Sequence, residues 1–322
     1  MFVITGATGF IGSAIVWELN QHGFGGLLLS DHIEPENRPD LLRKRKFTRF
    51  VLANELFAEM EKDAEHIEGV FHMGACSSTT ETDEGYLQRN NVEYSQRVWD
   101  FCTKHQIPLI YASSGACYGD GKLGFDDTTD PSLFKPLNLY GWSKLKFDIW
   151  ALKQTKTPPR WYGLRFFNVY GPNEYHKGEM ASVVFKAFNQ IRGTGKLKLF
   201  KSHSPEYRDG EQLRDFVYVK DITRWMKEMM ADPVVSSGIY NLGYGRARTW
   251  LDLAKNTFAG MKKELQIDWI EVPENIRNQY QYFTEAKIDR LLAQGLSQPE
   301  WPLEAGVRDY VEGHLLREDP YL

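Results

Sequence analysis

The run Phe2-Val3-Ile4-Thr5-Gly6-Ala7-Thr8-Gly9-Phe10-Ile11-Gly12 decides the fold. Its first four residues read as a buried strand, and Ile15, Val16 and Leu19 continue beyond the glycines at helical spacing. A strand, a glycine-rich turn and a helix in this order make a phosphate-binding crossover. Glycines permit the tight turn and the close approach of a pyrophosphate, which then rests on the helix N-terminus. The spacing of Gly6, Gly9 and Gly12 is one residue different from Gly-x-Gly-x-x-Gly. Leu27-Leu28-Leu29-Ser30 reads as the second strand and ends in Asp31. An acid about 20 residues past the glycines accepts hydrogen bonds from a ribose 2′-hydroxyl and argues for NAD. Arg38 and Arg43 follow closely, and a pairing with a 2′-phosphate argues for NADP. The residues leave that choice open.

Outward from this unit the alternation continues. Strands are expected at Thr48–Leu52, Val70–His72, Pro108–Ala112 and Trp161–Phe166, with helices near Leu56–Met60 and from Tyr86 to Lys104. Small residues from Met73 through Gly74, Ala75, Cys76 and Ser77 follow the strand at Val70, where a cofactor can lie against strand ends. Ser113 and Ser114 stand at the carboxyl end of the next strand, the side on which ligands sit in an open parallel sheet. Tyr140 and Lys144 stand i, i+4, so on a helix their side chains share one face, with Trp142, Leu145, Ile149 and Leu152 turned to the core. A free tyrosine has a pKa of roughly 10, and a cation held beside it favours the phenolate. The pair is thus a way to make a tyrosine that exchanges protons with an alcohol or ketone. Toward the C-terminus, strands are expected at Asp215–Val219, Gly238–Leu242 and Ile267–Val272. Helices are expected at Ile222–Met230, Trp250–Phe258, Glu285–Leu292 and Leu303–Leu316. The fold class is α/β, a Rossmann-type doubly wound parallel sheet with a smaller mixed α/β substrate domain.

Composition narrows the class. The 322 residues are 25% charged and 42% apolar, with a net charge of −4, which suits a globular enzyme and gives no sign of a nucleic-acid or membrane partner. Arg43-Lys44-Arg45-Lys46 is the one basic run and reads as a solvated helix end. Three cysteines without metal-ligand spacing argue against a disulfide scaffold or a metal site. The chain enters a strand at once and has no apolar run long enough to cross a bilayer, so a cytoplasmic protein is expected.

The glycine turn, Ser113-Ser114-Gly115-Ala116-Cys117-Tyr118-Gly119 and Tyr140-x-x-x-Lys144 resemble the extended short-chain dehydrogenase/reductases that act on nucleotide sugars. Dehydratases of that group carry an acidic pair after the serine or threonine. Gly115 and Ala116 occupy those places here, which weakens a dehydratase reading. His176-Lys177-Gly178-Glu179-Met180-Ala181-Ser182 resembles one subgroup, the ADP-glycero-manno-heptose 6-epimerases. Phe71 to Thr80, Asn90-Asn91, Lys135 to Asn138, Arg214 to Val219 and Tyr280 to Thr284 carry the same likeness across the chain.

The resemblance implies transient oxidation of the heptose C6 by NADP, rotation of the exocyclic group, and hydride return to the opposite face. Because the oxygen must meet a proton carrier in both orientations, it nominates two, Tyr140 and Lys177, with Ser114 orienting the oxygen and Lys144 on the nicotinamide ribose. It also implies that Gly6, Gly9, Phe10, Ile11, Gly12, Asp31, His32, Arg38, Met73, Gly74, Ala75, Cys76, Ser77, Asn90, Val169 and Lys177 line the cofactor. Asn168, Glu179, Lys186, Phe200, Arg214 and Tyr280 would line the ADP-heptose site, and Arg214 suits a pyrophosphate. A homo-oligomer, pentameric in the best-known members, is implied as well. Residues 1–170 and 216–245 are expected to form the NADP-binding domain, and 171–215 with 246–322 the substrate domain. His32 and Glu179 depart from the asparagine and serine usual in enteric members, and the loop 201–213 is longer. The rival readings are a UDP-hexose 4-epimerase, which does not require Lys177, and a dinucleotide-binding regulator without catalysis.

Overall fold

The structure is a computed structural model that describes residues 1–277 and 281–322. Among these, seven strands form one parallel sheet: β1 (Phe2–Thr5), β2 (Leu27–Asp31), β3 (Arg49–Leu52), β4 (Gly69–His72), β5 (Leu109–Ser114), β6 (Trp161–Phe166) and the strand Gly238–Leu242. Across the sheet the order is Gly238–Leu242, β6, β5, β4, β1, β2, β3. The chain steps one way from β1 to β3, then returns to the other side of β1 for β4. That reversal opens a crevice beyond the carboxyl ends of β1 and β4. The strands are continuous apolar runs because both faces of the sheet are covered, so Val3, Ile4, Leu28, Leu29, Val70 and Phe71 are fully enclosed.

On one face, helix α1 (Phe10–Gln21) packs beside the helix Val219–Ala231, joining Ile15, Val16 and Leu19 to Ile222, Trp225 and Met229. On the other, the helices Tyr94–Lys104 and Leu139–Leu152 bring Val98, Trp99, Phe147 and Ala151 onto Val3, Leu28 and Val70. A separate core holds the smaller part together. There Val184 and Phe188 of the helix Val183–Thr194 meet Leu253 and Phe258 of Trp250–Gly260 and Val307 of Leu303–Arg308. Phe10 and Ala14 of α1 belong to that second core, which ties it to the glycine turn. Each such side chain contributes about 1.5–3 kcal/mol when fully buried.

Two expectations change. The helix expected from Tyr86 to Lys104 is interrupted by a π segment at Gln88–Glu93, and a second π segment, Asp309–Leu315, follows Leu303–Arg308. An extra residue in the helical turn re-aims side chains, and such insertions collect at functional sites. Here Asn91 is turned fully inward. In the helix Leu139–Leu152, Trp142 and Leu152 are exposed instead of core-facing. The stripe that packs inward is Lys144, Leu145, Phe147, Asp148 and Ala151, because polar groups on β5 partner Lys144 and Asp148. The strands expected at Asp215–Val219 and Ile267–Val272 form at Phe216–Tyr218, paired with Asn168–Tyr170, and at Ile267–Ile270, paired with Leu197–Phe200, outside the large sheet.

Candidate active site

The glycine turn is packed to its limit. Gly6 has φ +66°, and a Cβ there would meet the backbone nitrogen of Gly74 at 2.7 Å. A Cβ on Gly12 would lie 1.9 Å from the Gly6 carbonyl oxygen. The loops after β1 and β4 therefore touch where the sheet reverses, and Thr5 joins them. Its hydroxyl accepts from the Gly74 N–H at 2.9 Å and pairs with His72 Nδ1 at 2.7 Å. Asp31 Oδ2 accepts from the Thr8 N–H at 3.0 Å, and Arg38 Nη1 donates to the Thr8 carbonyl at 2.9 Å. Acid and guanidinium thus flank one residue of the turn. Arg43 is not with them: it pairs with Asp40 and Asp319. Lys44 also reaches Asp319, and Arg45 donates to the Leu322 carbonyl, so the basic run secures the C-terminal segment.

Above this turn lies a cavity of about 900 Å³. Every residue assigned to the cofactor from sequence lines it: Gly6, Gly9, Phe10, Ile11, Gly12, Asp31, His32, Arg38, the run Met73 to Ser77, Asn90, Tyr140, Lys144, Val169 and Lys177. Ser114, Asn168 and Arg214 line it too, so the structure brings the proposed chemistry and the proposed pyrophosphate contact into one space. Glu179, Lys186 and Phe200 stand outside this lining. Lys186 Nζ is turned away to the Glu179 carbonyl at 2.5 Å and to its carboxylate at 3.4 Å, forming a surface pair. Nor does any residue of the long loop 201–213 reach the wall. Tyr280 lies outside the described residues.

The wall carrying Tyr140 is a ladder. Asn138 caps its helix by accepting from the Gly141 N–H at 2.8 Å. Tyr140, Lys144 and Asp148 then fall at i, i+4, i+8 on the face that meets β5. Ser114 hydrogen-bonds Tyr140, and Lys144 Nζ donates to the Ala112 carbonyl at 2.9 Å. Asp148 accepts from Ser113 Oγ at 2.9 Å, from the Tyr111 hydroxyl at 3.1 Å and from Arg165 Nε at 3.0 Å. Four consecutive strand residues are thereby engaged by three helix residues, one on each of successive turns. Ser114 also accepts from the Ala116 N–H at 3.1 Å, so it caps the following turn as well. Asn91 bolts this helix to the β4 loop, accepting from the Cys76 N–H at 2.8 Å and donating to Ser143 Oγ at 2.9 Å.

Electrostatics depart from the simple expectation for Tyr-x-x-x-Lys. Burial pushes Tyr140 up to about 12, with the Ser114 hydrogen bond pulling the other way. Burial brings Lys144 down to about 8. In the protein alone, desolvation therefore dominates, and Tyr140 holds its proton. The turn Tyr175–Met180 supplies His176, Lys177 and Met180 to the same lining. Lys177 is half-buried there, its ammonium 6.0 Å from the centre of the Phe10 ring, and desolvation lowers its proton affinity. Burial likewise brings His176 down to about 4, with Arg38 and Lys177 pushing the same way.

Several lining residues carried no sequence signal. Trp250 stands under the Arg214 guanidinium, 5.6 Å from the ring centre. Arg214, itself 8% exposed, donates to the carbonyls of Leu213 and Gln281, which aims it along the wall. Glu174 was also missed, although it sits three residues before Lys177 and faces the same space.

Comparison with known proteins agrees with this architecture. Residues 2–243 match the model of the NAD dependent epimerase/dehydratase family. The ADP-L-glycero-D-manno-heptose-6-epimerase of Fusobacterium nucleatum is 46% identical over the whole of both chains. That of Nitratidesulfovibrio vulgaris is 43% identical, again over both full lengths. Among solved structures, the Helicobacter pylori ADP-L-glycero-D-manno-heptose-6-epimerase superposes with a TM-score of 0.80 at 26% identity, covering 97% of this chain and 95% of the other. A UDP-N-acetylglucosamine 4-epimerase from Methanobrevibacter ruminantium gives the same TM-score at 23% identity, a likeness of fold, over 97% and 96% of the two chains. With full-length identity of this order, and the glycine turn, Ser114, Tyr140, Lys144 and Lys177 around one cavity, the chain belongs to the ADP-L-glycero-D-manno-heptose-6-epimerases of the NAD dependent epimerase/dehydratase family.

Proposed function

We propose that this protein inverts C6 of the heptose in ADP-D-glycero-D-manno-heptose to give the L-glycero epimer, an inner-core precursor of lipopolysaccharide. One observation carries the reading: Ser114, Tyr140 and Lys177, which come from different elements of the chain, line one cavity. An oxygen that is presented to one fixed hydride position from either side of C6 needs a proton carrier on each side. The cavity has such a pair.

The cradle fits a dinucleotide. Gly6 and Gly12 leave no room for a Cβ and Gly74 little, which suits a pyrophosphate lying on backbone N–H groups at the start of α1. NADP is our choice, with NAD the alternative. Arg38 lines the adenosine end and supports a 2′-phosphate, and Asp31, occupied by the Thr8 N–H, is less free to serve a 2′-hydroxyl. When bound, the nicotinamide supplies reversible hydride transfer at C6. The protein's own part is the proton and its placement. Tyr140 takes or returns the proton at the C6 oxygen, Ser114 orients that oxygen, and Lys144 holds the ribose and favours the phenolate. Lys177 serves the oxygen in its other orientation. Asn168 and Arg214 hold the nucleotide sugar, with the guanidinium on its diphosphate.

The Gly238–Leu242 strand completes the large sheet, which supports assigning 216–245 with 1–170 to the cofactor domain and the rest to the substrate domain. A homo-oligomer working in the cytoplasm completes the proposal. No helix among the described residues is long and apolar enough to cross a membrane. The decisive experiment releases and identifies the nucleotide bound to purified protein. The protein is then incubated separately with ADP-D-glycero-D-manno-heptose and a UDP-hexose. Inversion of the heptose alone is expected; turnover of only the UDP-hexose overturns the assignment.

A further inference from the structure

Lys177 stands on a loop with little regular structure, and one carboxylate closes that loop. The chain leaves the strand Asn168–Tyr170, turns through Tyr175–Met180 and enters the helix Val183–Thr194. Glu174 is 1% exposed. Its Oε1 accepts from the Gly171 N–H at 3.3 Å and from Ser182 Oγ at 2.6 Å, and its Oε2 accepts from the Ser182 N–H at 2.5 Å. Both ends of a twelve-residue excursion, 171–182, are therefore clasped by one side chain. Next to it, Asn173 Nδ2 donates to Ser13 Oγ of α1 at 3.0 Å, and the Lys177 N–H donates to the Glu174 carbonyl at 3.0 Å.

Burying a carboxylate costs several kcal/mol unless hydrogen bonds and a cation compensate. Ser182 and Gly171 provide the hydrogen bonds, and among the described residues no salt bridge provides the cation. Without a salt bridge between them, the Glu174 charge raises Lys177 against the effect of burial. We infer that Glu174 is a positioning residue for Lys177, clasping the loop so that the ammonium lines the cavity and supplying the negative charge that keeps this amine able to carry a proton. The inference rests on the proposed acid/base role of Lys177.

The neighbours of the pair are accounted for. His176, on the same turn, is held neutral at physiological pH by burial, and Phe10 approaches from α1 with an uncharged ring. Tyr175 and, from the C-terminal π segment, Tyr310 are pushed above the ordinary tyrosine value by burial and by the Glu174 charge, so both stay neutral. Burial lowers Lys177 and Glu174 raises it back. Glu174 itself is pushed up by burial and held down by the Ser182 and Gly171 hydrogen bonds. Of these groups, Glu174 is the one whose charge raises Lys177.

The test titrates Lys177 directly, without substrate. Competitive acetylation across a pH series, read by peptide mass analysis, gives its apparent pKa in the full-length protein. Glu174→Gln keeps an acceptor and removes the charge, and Lys177 is expected to titrate about one pH unit lower. The pH limb of kcat that Lys177 controls is expected to move the same way. Glu174→Asp, which keeps the charge, restores most of the shift. An unmoved Lys177 titration in folded Glu174→Gln protein overturns the inference. If that variant does not fold, Ser182→Ala takes its place. Weakening the clasp there is expected to speed Lys177 labelling several-fold at fixed pH, and an unchanged rate overturns the inference. Failure of the acid/base reading looks different: Lys177→Met then turns over normally while the Glu174-dependent titration shift persists.

Discussion

The two walls of the cavity are built by opposite means. Tyr140 stands on a fourteen-residue helix whose Lys144 and Asp148 are hydrogen-bonded to a central strand, so its position is set by the sheet itself. Lys177 stands on a 3₁₀ turn held by a single buried carboxylate and a few ties to α1 and the C-terminal segment. The contrast suits a reaction in which one oxygen has two orientations. A fixed wall defines where the hydride-bearing face lies, and a looser one admits a substrate that must rotate between two half-reactions. On this view, damage to the helix wall shows in both stability and turnover. Damage to the loop wall shows in turnover with stability nearly intact.

The largest expected effect tests whether the walls are equal partners in chemistry. Tyr140→Phe and Lys177→Met should each lower kcat for heptose inversion by about 10²–10⁴-fold, the range of a lost general acid/base. Nucleotide released from either variant should match the wild type, because neither substitution enlarges the glycine cradle. Near-normal turnover of Lys177→Met breaks the comparison outright, since the loop wall then has no chemical role.

Next in size is Asp148→Asn. Arg165 is 1% exposed and would lose the carboxylate that accepts from its Nε at 3.0 Å, leaving a charge stranded in the core. Breaking one partner of such a pair costs about 3–5 kcal/mol. Thermal and denaturant unfolding should report that loss in the helix wall, with turnover falling in the protein that remains folded. An unchanged midpoint would mean the ladder is not what secures this side.

How much of this was legible in the sequence follows the same division. Short apolar runs and period-3.6 patterns gave the strands and helices of the sheet, and the i, i+4 spacing placed Tyr140 beside Lys144, because regular backbone converts sequence distance into spatial distance. What periodicity misjudged were the places where polar groups outrank apolar ones. Trp142 and Leu152 look like core residues, yet Lys144 and Asp148 occupy the inward face because β5 offers them partners. Asn91 turns inward through a π insertion that no local pattern announces. On the loop wall, spacing says nothing about direction. Lys177 was found only through resemblance, Glu174 not at all, and Glu179 and Lys186 pair with each other at the surface. Arg43 likewise had the right charge near the right strand but is drawn off by Asp319.

Lys144 separates function from stability within the helix wall. Its folded value of about 8 lies below the 10.5 of a free lysine, so the unfolded chain binds the proton more tightly. Below pH 8 the buried ammonium therefore costs stability in full, and wild-type stability rises as pH climbs from about 8 toward the free value. Lys144→Met removes that cost, roughly 3 kcal/mol at 1.36 kcal/mol per unit, and gives up one hydrogen bond worth about 1 kcal/mol. A net gain of about 2 kcal/mol at neutral pH is expected, fading in alkali, together with a fall in kcat. Denaturant unfolding at neutral and alkaline pH checks both the size and the sign. A variant less stable than wild type at neutral pH shows that the ladder needs this bond more than it suffers from the charge.

The smallest effect belongs to the loop wall and completes the contrast. Gly178 follows Lys177 directly, with φ 53° and ψ −123°, a conformation that glycine alone adopts without strain. A Cβ there would meet nothing within 4 Å, so Gly178→Ala is a test of backbone conformation without a clash. The local strain is about 1–3 kcal/mol if the turn keeps its shape. A turn held at its ends by Glu174, and exposed at Gly178, can instead relax into a neighbouring conformation and spend little of that energy on the rest of the fold. The unfolding midpoint should therefore move by about 1 kcal/mol or less, while kcat falls because the Lys177 ammonium no longer meets the oxygen at the right distance. A large drop in stability would mean that the turn is as firmly integrated as the tyrosine helix. The difference between a fixed and a yielding wall would then have to be given up.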